Sequence, residues 1–156
     1  MICFPTIDVQ IHAMRQSWPS LRETRIDSRT AVWRGPLRPL LMTHEVEIFY
    51  RAPLVIELIN PMQQQPQVRV AQPLLKKMPR SAEGALPHVY WDDPDRPMLC
   101  LFDAEAGQWS PCDLLAATTV PWTVDWLACY EGWRATGEWT GGGRHVGAAS
   151  KKERES

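Results

Sequence analysis

LPHVYWDDPDRPMLCLFDAEAGQWSP, residues 86–111, is the stretch around which the rest of the chain is organised. It opens with a histidine, His88, continues through an acidic loop broken by prolines, and reaches a cysteine, Cys100, before closing on Trp109–Ser110–Pro111. A thiolate attacks an activated carbonyl and also leaves readily when an amine arrives. A cysteine inside a proline-bounded loop is therefore a candidate acyl carrier.

Upstream of this stretch, the pattern of apolar residues changes from helical to extended. Ile7–Trp18 has near-helical apolar spacing, and Pro19 predicts its end. Leu21–Thr30 is polar and predicts a connector. Four strand candidates follow, separated by two to seven residues: Ala31–Leu41, His44–Arg51, Leu54–Ile59 and Gln67–Val70. Such short connections predict hairpins and hence an antiparallel meander.

Two of these candidates have a distinctive composition. The glycine and prolines of Ala31–Leu41 favour an edge strand or the exit from one over a central strand, because proline cannot donate to a neighbouring strand. The nearly unbroken apolar run of Leu54–Ile59 favours a strand buried on both faces.

Downstream, Ser110 and Pro111 have the pattern of a helix start, and the sequence predicts a helix that runs until Pro121. A second helix is predicted to end at Gly137. It would carry an aromatic stripe on one face: Trp122, Trp126, Tyr130 and Trp133. Core packing is the favoured interpretation of that stripe. A partner-docking surface is the alternative, with Trp109, Trp126 and Trp133 as its candidate residues.

The bulk composition limits the possible partners. The 156 residues are typical of one domain, which we assign to residues 1–140, with a flexible Gly-rich and charged tail over residues 141–156. With 17 basic and 18 acidic residues, neither nucleic acid nor an anionic membrane is an expected partner. No window is apolar enough for a membrane helix, so we expect a cytoplasmic protein. We expect no metal, since His145 has no second ligand pair, and no cofactor.

The order histidine, short loop, Cys100–Leu101 with Asp103, then Trp109–Ser110–Pro111 resembles the active-site segment of ubiquitin-conjugating enzymes, which reads His-Pro-Asn, Ile-Cys-Leu-Asp and Trp-Ser-Pro. A closer resemblance is to the divergent bacterial members encoded beside cyclic-nucleotide synthetases in CBASS anti-phage operons. The segments that carry it are Trp33–Leu37, Pro87–Tyr90, Leu99–Leu101 and the run from Pro121–Trp122 to Gly141–His145. The resemblance implies an α+β, UBC-like fold: an N-terminal helix, a four-stranded antiparallel meander, an active-site loop and C-terminal helices.

The resemblance also implies an activity. Cys100 would form a thioester with the C-terminal glycine of a partner cyclic-nucleotide synthetase (CD-NTase) and promote its conjugation, which primes anti-phage signalling. The sequence has no Gly-rich nucleotide fingerprint after a strand, so activation is expected from an activating enzyme or from the partner's own chemistry. Two alternatives stay open: a non-catalytic UBC-like binding module, and a cysteine hydrolase that uses Cys100 and His88.

One departure from the eukaryotic motif concerns the oxyanion. The asparagine is absent, because His88 is followed by Val89 and Tyr90. His88 and Tyr90 are the nearest candidate donors to replace it. Cys112, on the first turn of the predicted helix, is a possible second thiol whose thiolate the helix dipole would stabilise.

The acidic loop suggests a further property of the thiol. Asp92, Asp93 and Asp95 would raise the pKa of Cys100 if they lay close to it, which suits a carrier better than a protease.

Overall fold

The computed structural model describes residues 4–54, 64–103 and 106–140. Its helices and strands, in chain order, are α1 (Ile7–Ser17), β1 (Arg22–Arg25), β2 (Thr30–Leu37), β3 (His44–Arg51), β4 (Gln67–Gln72), β5 (Val89–Tyr90), β6 (Met98–Leu99) and α2 (Thr119–Thr136). Strands β1 to β4 form one antiparallel sheet in sequential order, and β5 pairs with β6 in a separate hairpin. The predicted α+β class, the N-terminal helix and the four-stranded meander are thus confirmed.

The core lies between one face of the sheet and the two helices. Trp33 of β2 stands opposite Ile48 of β3, which in turn stands opposite Val68 of β4, and all three side chains are fully buried. Helix α1 contributes a stripe at helical spacing (Ile7, Ile11 and Met14). Because alternate residues of a strand point to opposite faces, the alternation read from His44–Arg51 gives its buried side correctly.

Two predictions about the first strands were wrong. Arg22–Arg25, predicted as part of a connector, forms the edge strand β1. Its pairing with β2 uses only backbone N–H and C=O groups, and charged side chains are common on an edge strand. Strand β2, predicted as an edge strand or the exit from one, lies inside the sheet, with Pro36 next to its last residue. Its pairing with β1 ends at Arg34, so Pro36 lies beyond the reach of β1 and its missing donor costs nothing on that side.

The third strand candidate falls largely outside the described residues. Leu54 is exposed and lies in no strand, and residues 55–59 are not described. Strand β3 pairs directly with β4, so the fourth strand of the sheet is Gln67–Gln72. The tail predicted for residues 141–156 also lies outside the described residues. Within the described part of the chain, no helix is long and apolar enough to cross a membrane.

The backbone crosses itself closely at Gly35. A Cβ atom at this position would overlap the carbonyl oxygen of Ser20 and crowd Leu21, where the chain from α1 passes over β2. Only glycine allows this approach, which explains the glycine inside an inner strand.

The helix predicted after Trp109 is also wrong. Residues 111–118 form turns, and the buried side chain of Gln10 on α1 satisfies their backbone: its Nε2 donates to the carbonyl of Asp113 at 3.0 Å, and its Oε1 accepts from the amide of Leu115 at 2.9 Å. Helix α2 starts at Thr119 instead and includes Pro121 in its first turn, where an amide would have no helical partner anyway. It ends as predicted at Gly137, which adopts the left-handed conformation.

Candidate active site around Cys100

A two-stranded hairpin brings His88 and Cys100 together. Strands β5 and β6 pair Val89 with Leu99, and just beyond this pair the amide of Cys100 donates to the carbonyl of His88 at 2.9 Å. The same carbonyl accepts the indole N–H of Trp126 at 3.0 Å. His88 has a φ of 56°, in the left-handed region that costs a non-glycine residue about 1–2 kcal/mol. Two donors on one carbonyl, one of them from α2, stabilise this conformation.

The thiol of Cys100 lies against the phenol of Tyr90. Its Sγ is 3.4 Å from Tyr90 Oη and 3.6 Å from the carbonyl oxygen of Phe102, and the residue is only 2% exposed. Burial raises the pKa of Cys100, the Tyr90 hydrogen bond opposes that shift, and the charge of Asp103 adds to it. The cysteine is therefore a thiol at neutral pH.

The sequence predicted the raised thiol pKa for the wrong reason. It predicted a raised pKa for Cys100 if Asp92, Asp93 and Asp95 lay close, whereas the causes that raise the pKa are burial and Asp103. The Asp92 carboxylate binds Arg69, and the Asp93 carboxylate accepts from the amides of Asp95 and Arg96.

The hydroxyl of Tyr90 is protonated and lies beside the thiol. Burial, followed by the neighbouring Cys100, raises the pKa of its phenol, so the hydroxyl stays protonated at any physiological pH. The neutral thiol donates to the phenol oxygen; once the thiol ionises, the phenol O–H can donate to the thiolate. The buried side chain of Gln65 also hydrogen-bonds Tyr90. Sequence reasoning missed Gln65, because nothing in a polar Gln-rich turn distinguishes one glutamine from the next.

The imidazole of His88 packs on an aromatic ring. Its centroid lies 4.7 Å from that of Trp139, and the side chain is buried. His88 thus holds Cys100 through its carbonyl, while its ring packs on Trp139, three residues after the end of α2.

The acidic loop between β5 and β6 is fastened to β4. Both Nη atoms of Arg69 bind the carboxylate of Asp92, and Arg69 Nη1 also donates to the carbonyl of Arg96 at 2.7 Å. Asp92 Oδ1 accepts in addition from the amide of Met98, at the start of β6. The Arg69 guanidinium lowers the pKa of Asp92 to about 2. Arg69, which sequence reasoning did not single out, therefore fixes the hairpin that holds Cys100.

Comparison of the sequence with models of protein families identifies the family of this chain. The model described as Type II CBASS E2 protein matches residues 10–146, which include the sheet, the hairpin with Cys100 and α2. The chain belongs to the E2-CBASS family. Its fold is accordingly UBC-like, as the resemblance of the sequence implied. A search of curated proteins found no match.

The tryptophans proposed to bind a partner are buried in this E2-CBASS protein. Trp109 packs on Tyr50 and Phe102, and Trp126 stacks on Tyr130 with ring centroids 5.7 Å apart. Trp133 is completely buried and donates through its indole N–H to Ser81 Oγ at 2.9 Å. Their burial favours the interpretation that these rings pack in the core. Direct contact of the rings with a partner stays a prediction, and they expose little surface for it.

Cys112 differs from Cys100 in its surroundings. It is exposed and lies in the turn after Ser110, so the helix whose dipole was predicted to act on it is absent. A functional role for this second thiol stays a prediction. Within residues 4–54, 64–103 and 106–140, no three His, Cys, Asp or Glu side chains are grouped to hold a metal ion.

Asp92→Asn tests the fastening of the hairpin. The ion pair with Arg69 is 44% exposed on the carboxylate side, so we expect a loss of about 1 kcal/mol in the free energy of unfolding at pH 7. The lowered pKa of Asp92 stabilises the fold above its ordinary value of 3.8, and this contribution is lost as pH falls towards 2. Urea unfolding at pH 7 and pH 3 should therefore show a smaller acid loss for Asp92→Asn than for the unaltered protein. Asp95→Asn, in the same loop, is the matched control; equal effects of both changes would contradict the role of Asp92.

Proposed function

We propose that this E2-CBASS protein carries the C-terminal glycine of a partner cyclic-nucleotide synthetase as a thioester on Cys100 and promotes its conjugation, which primes anti-phage signalling. The observation that carries the proposal is the contact between the Cys100 thiol and the Tyr90 phenol, 3.4 Å apart on a hairpin fastened to the sheet. This contact gives one site both a nucleophile and a hydrogen-bond donor.

The covalent step needs an acyl donor whose glycine carboxyl is already activated as an adenylate or thioester. Sγ of Cys100 attacks the carbonyl carbon, the new C–S bond forms, the bond to the leaving group breaks, and the thiol proton passes to solvent. A thiol with a raised pKa is rarely ionised, and an activated donor compensates for this. The same property makes Cys100 a weak nucleophile towards ordinary amides, which speaks against the alternative of a cysteine hydrolase.

Tyr90 supports the proposal as a replacement for the asparagine of the eukaryotic motif. Its protonated hydroxyl lies beside Sγ, and therefore near the carbonyl oxygen that becomes negative during attack. A donor held in place by a rigid hairpin needs no reorganisation as that charge develops.

Tyr90→Phe removes this donor and leaves the ring. We expect the rate of adduct formation to fall about a hundredfold, at the low end of what one oxyanion donor contributes. Because the Tyr90 hydrogen bond lowers the pKa of Cys100, the pH profile of Cys100 alkylation should also shift to higher pH. Tyr50→Phe is the control, since the buried Tyr50 hydroxyl has no hydrogen-bond partner among the described residues. An unchanged alkylation profile in Tyr90→Phe would contradict the proposed donor role.

The function itself is tested by incubating the purified protein with the partner synthetase and an activating enzyme, then separating the products under non-reducing conditions. We expect an adduct of summed mass that thiol reductants cleave, and that does not form when the synthetase lacks its terminal glycine. Failure to detect any such adduct, with the synthetase demonstrably activated, would refute the proposal. A partner that binds tightly without an adduct would instead favour the non-catalytic binding module.

A further inference from the structure

An apolar groove lies away from Cys100, between the chain that connects β2 to β3 and the chain that follows β4. Its volume is about 450 Å³, within the usual range of binding pockets. Four exposed aliphatic side chains line it: Leu40, Leu41, Met42 and Leu74. Apolar side chains gathered at one place on a surface typically mark an interaction site, whereas single ones need no explanation.

Both walls of the groove are tied to consecutive residues of α2. On one side, the amides of Leu41 and Met42 donate to Glu131 Oε1 at 3.1 and 2.9 Å. On the other, the amide of Lys76 donates to the hydroxyl of Tyr130 at 2.8 Å. The groove is therefore formed before any ligand arrives, and binding costs little conformational entropy in its walls.

The floor contains a buried imidazole. His44 Nε2 lies 3.5 Å from Glu131 Oε2, while His44 Nδ1 is buried and has no hydrogen-bond partner among the described residues. The imidazole is completely buried and adds its ring to the lining of the groove.

The rim of the groove is positively charged. Glu131 uses its carboxylate on the two loop amides and His44. Lys76 and Arg134 are exposed and form no ion pair among the described residues. An apolar floor with basic residues at its edge is complementary to an apolar segment that carries acidic side chains.

The groove and the cysteine site share one helix. Trp126, which donates to the carbonyl of His88, precedes Tyr130 and Glu131 by about one turn of α2. The hairpin that holds Cys100 and both walls of the groove are therefore all bonded to α2.

We propose that this groove docks an apolar, acidic segment of the same synthetase whose glycine is carried on Cys100. The inference rests on the proposed function and adds a non-covalent contact that selects the partner. Apolar side chains of the segment fill the space between Leu41 and Leu74, and its acidic groups pair with Lys76 and Arg134.

The test measures binding of the full-length synthetase to the full chain carrying Cys100→Ala, so that no covalent link contributes. Leu41 is 83% exposed, and Leu41→Asp should leave the fold intact while raising Kd about tenfold or more. Arg134→Glu should raise Kd severalfold, by an amount that shrinks at high salt. The matched controls are Ile26→Asp, at an apolar position that is 56% exposed outside the groove, and Arg22→Glu on the edge strand.

The possible outcomes separate the two proposals. Equal Kd values for Leu41→Asp and Ile26→Asp, or no binding at all, would overturn the docking proposal. The docking proposal would also be overturned if Leu41→Asp changed the oligomeric state of the free protein in solution. The groove would then hold a second copy of this chain. An adduct on Cys100 that forms normally in Leu41→Asp at saturating synthetase leaves the thioester proposal standing by itself. Docking without any adduct refutes only the thioester.

Discussion

Cys100→Ala is expected to abolish the reductant-sensitive adduct, and Cys112→Ala is expected to leave it intact. The difference follows from the surroundings of the two thiols. Cys100 lies within reach of the Tyr90 hydroxyl on a hairpin fixed by Arg69, whereas Cys112 lies exposed on a turn. The Tyr90 hydroxyl beside Sγ of Cys100 supplies a donor for the charge that develops on a carbonyl oxygen. Gel separation and intact mass after incubation with activated synthetase give the measurement.

Two controls make this result interpretable. Cys100 is buried, so its replacement by alanine removes a small apolar group from the core and must be shown by thermal unfolding to leave a folded protein. Cys129→Ala on α2 provides a third thiol that is neither in the hairpin nor in the turn. An adduct that persists in Cys100→Ala and disappears in Cys112→Ala would move the carrier thiol to the turn after Ser110.

The sequence predicted the parts of the fold that depend on local periodicity. The alternation of His44–Arg51 gave β3 with its buried face, and the aromatic spacing from Trp122 gave the body of α2 and its end at Gly137. Both patterns reflect a single buried face, which a periodic sequence records directly.

The errors occur where a distant residue satisfies the backbone. Ser110 and Pro111 have the chemistry of a helix start, but Gln10, about a hundred residues earlier in the chain, bonds to this segment and holds turns in place of helical hydrogen bonds. Arg22–Arg25 became a strand because β2 offered an unpaired edge, not because of its side chains. Local sequence propensity records neither a hydrogen bond from a distant side chain nor the presence of an unpaired neighbouring strand.

The residues of the candidate site also fall into those that the sequence identified and those that it missed. The sequence predicted His88, Tyr90 and Cys100 as candidates for one site but did not predict the hairpin of β5 and β6, which places them side by side. Arg69 and Gln65 reach the hairpin from the sheet and the chain before it, and nothing in their own neighbourhoods distinguishes them.

Trp126 links the core to the cysteine site, and Trp126→Ala is expected to lower the free energy of unfolding by about 3–5 kcal/mol. The indole is 2% exposed and contacts two other rings, stacking on Tyr130 and meeting Trp139 edge-on at 5.1 Å. Its removal leaves a cavity that rigid neighbouring rings cannot fill. Denaturant unfolding followed by circular dichroism measures the loss. Trp91→Ala, at a tryptophan that is 54% exposed, should cost about 0.5 kcal/mol or less.

Trp126→Phe separates the packing role from the hydrogen bond. Phenylalanine keeps most of the apolar contact but loses the donor to the carbonyl of His88, which then retains only the amide of Cys100. We expect a smaller loss of stability, about 1–2 kcal/mol, because a buried acceptor loses one of two partners. We also expect faster alkylation of Cys100 in the folded protein, because the left-handed conformation of His88 loses one of its two supports and the hairpin opens more often. If Trp126→Phe were destabilised to this extent while the alkylation rate of Cys100 stayed unchanged, the bond from α2 would serve the core alone, and the hairpin would owe its position to Arg69.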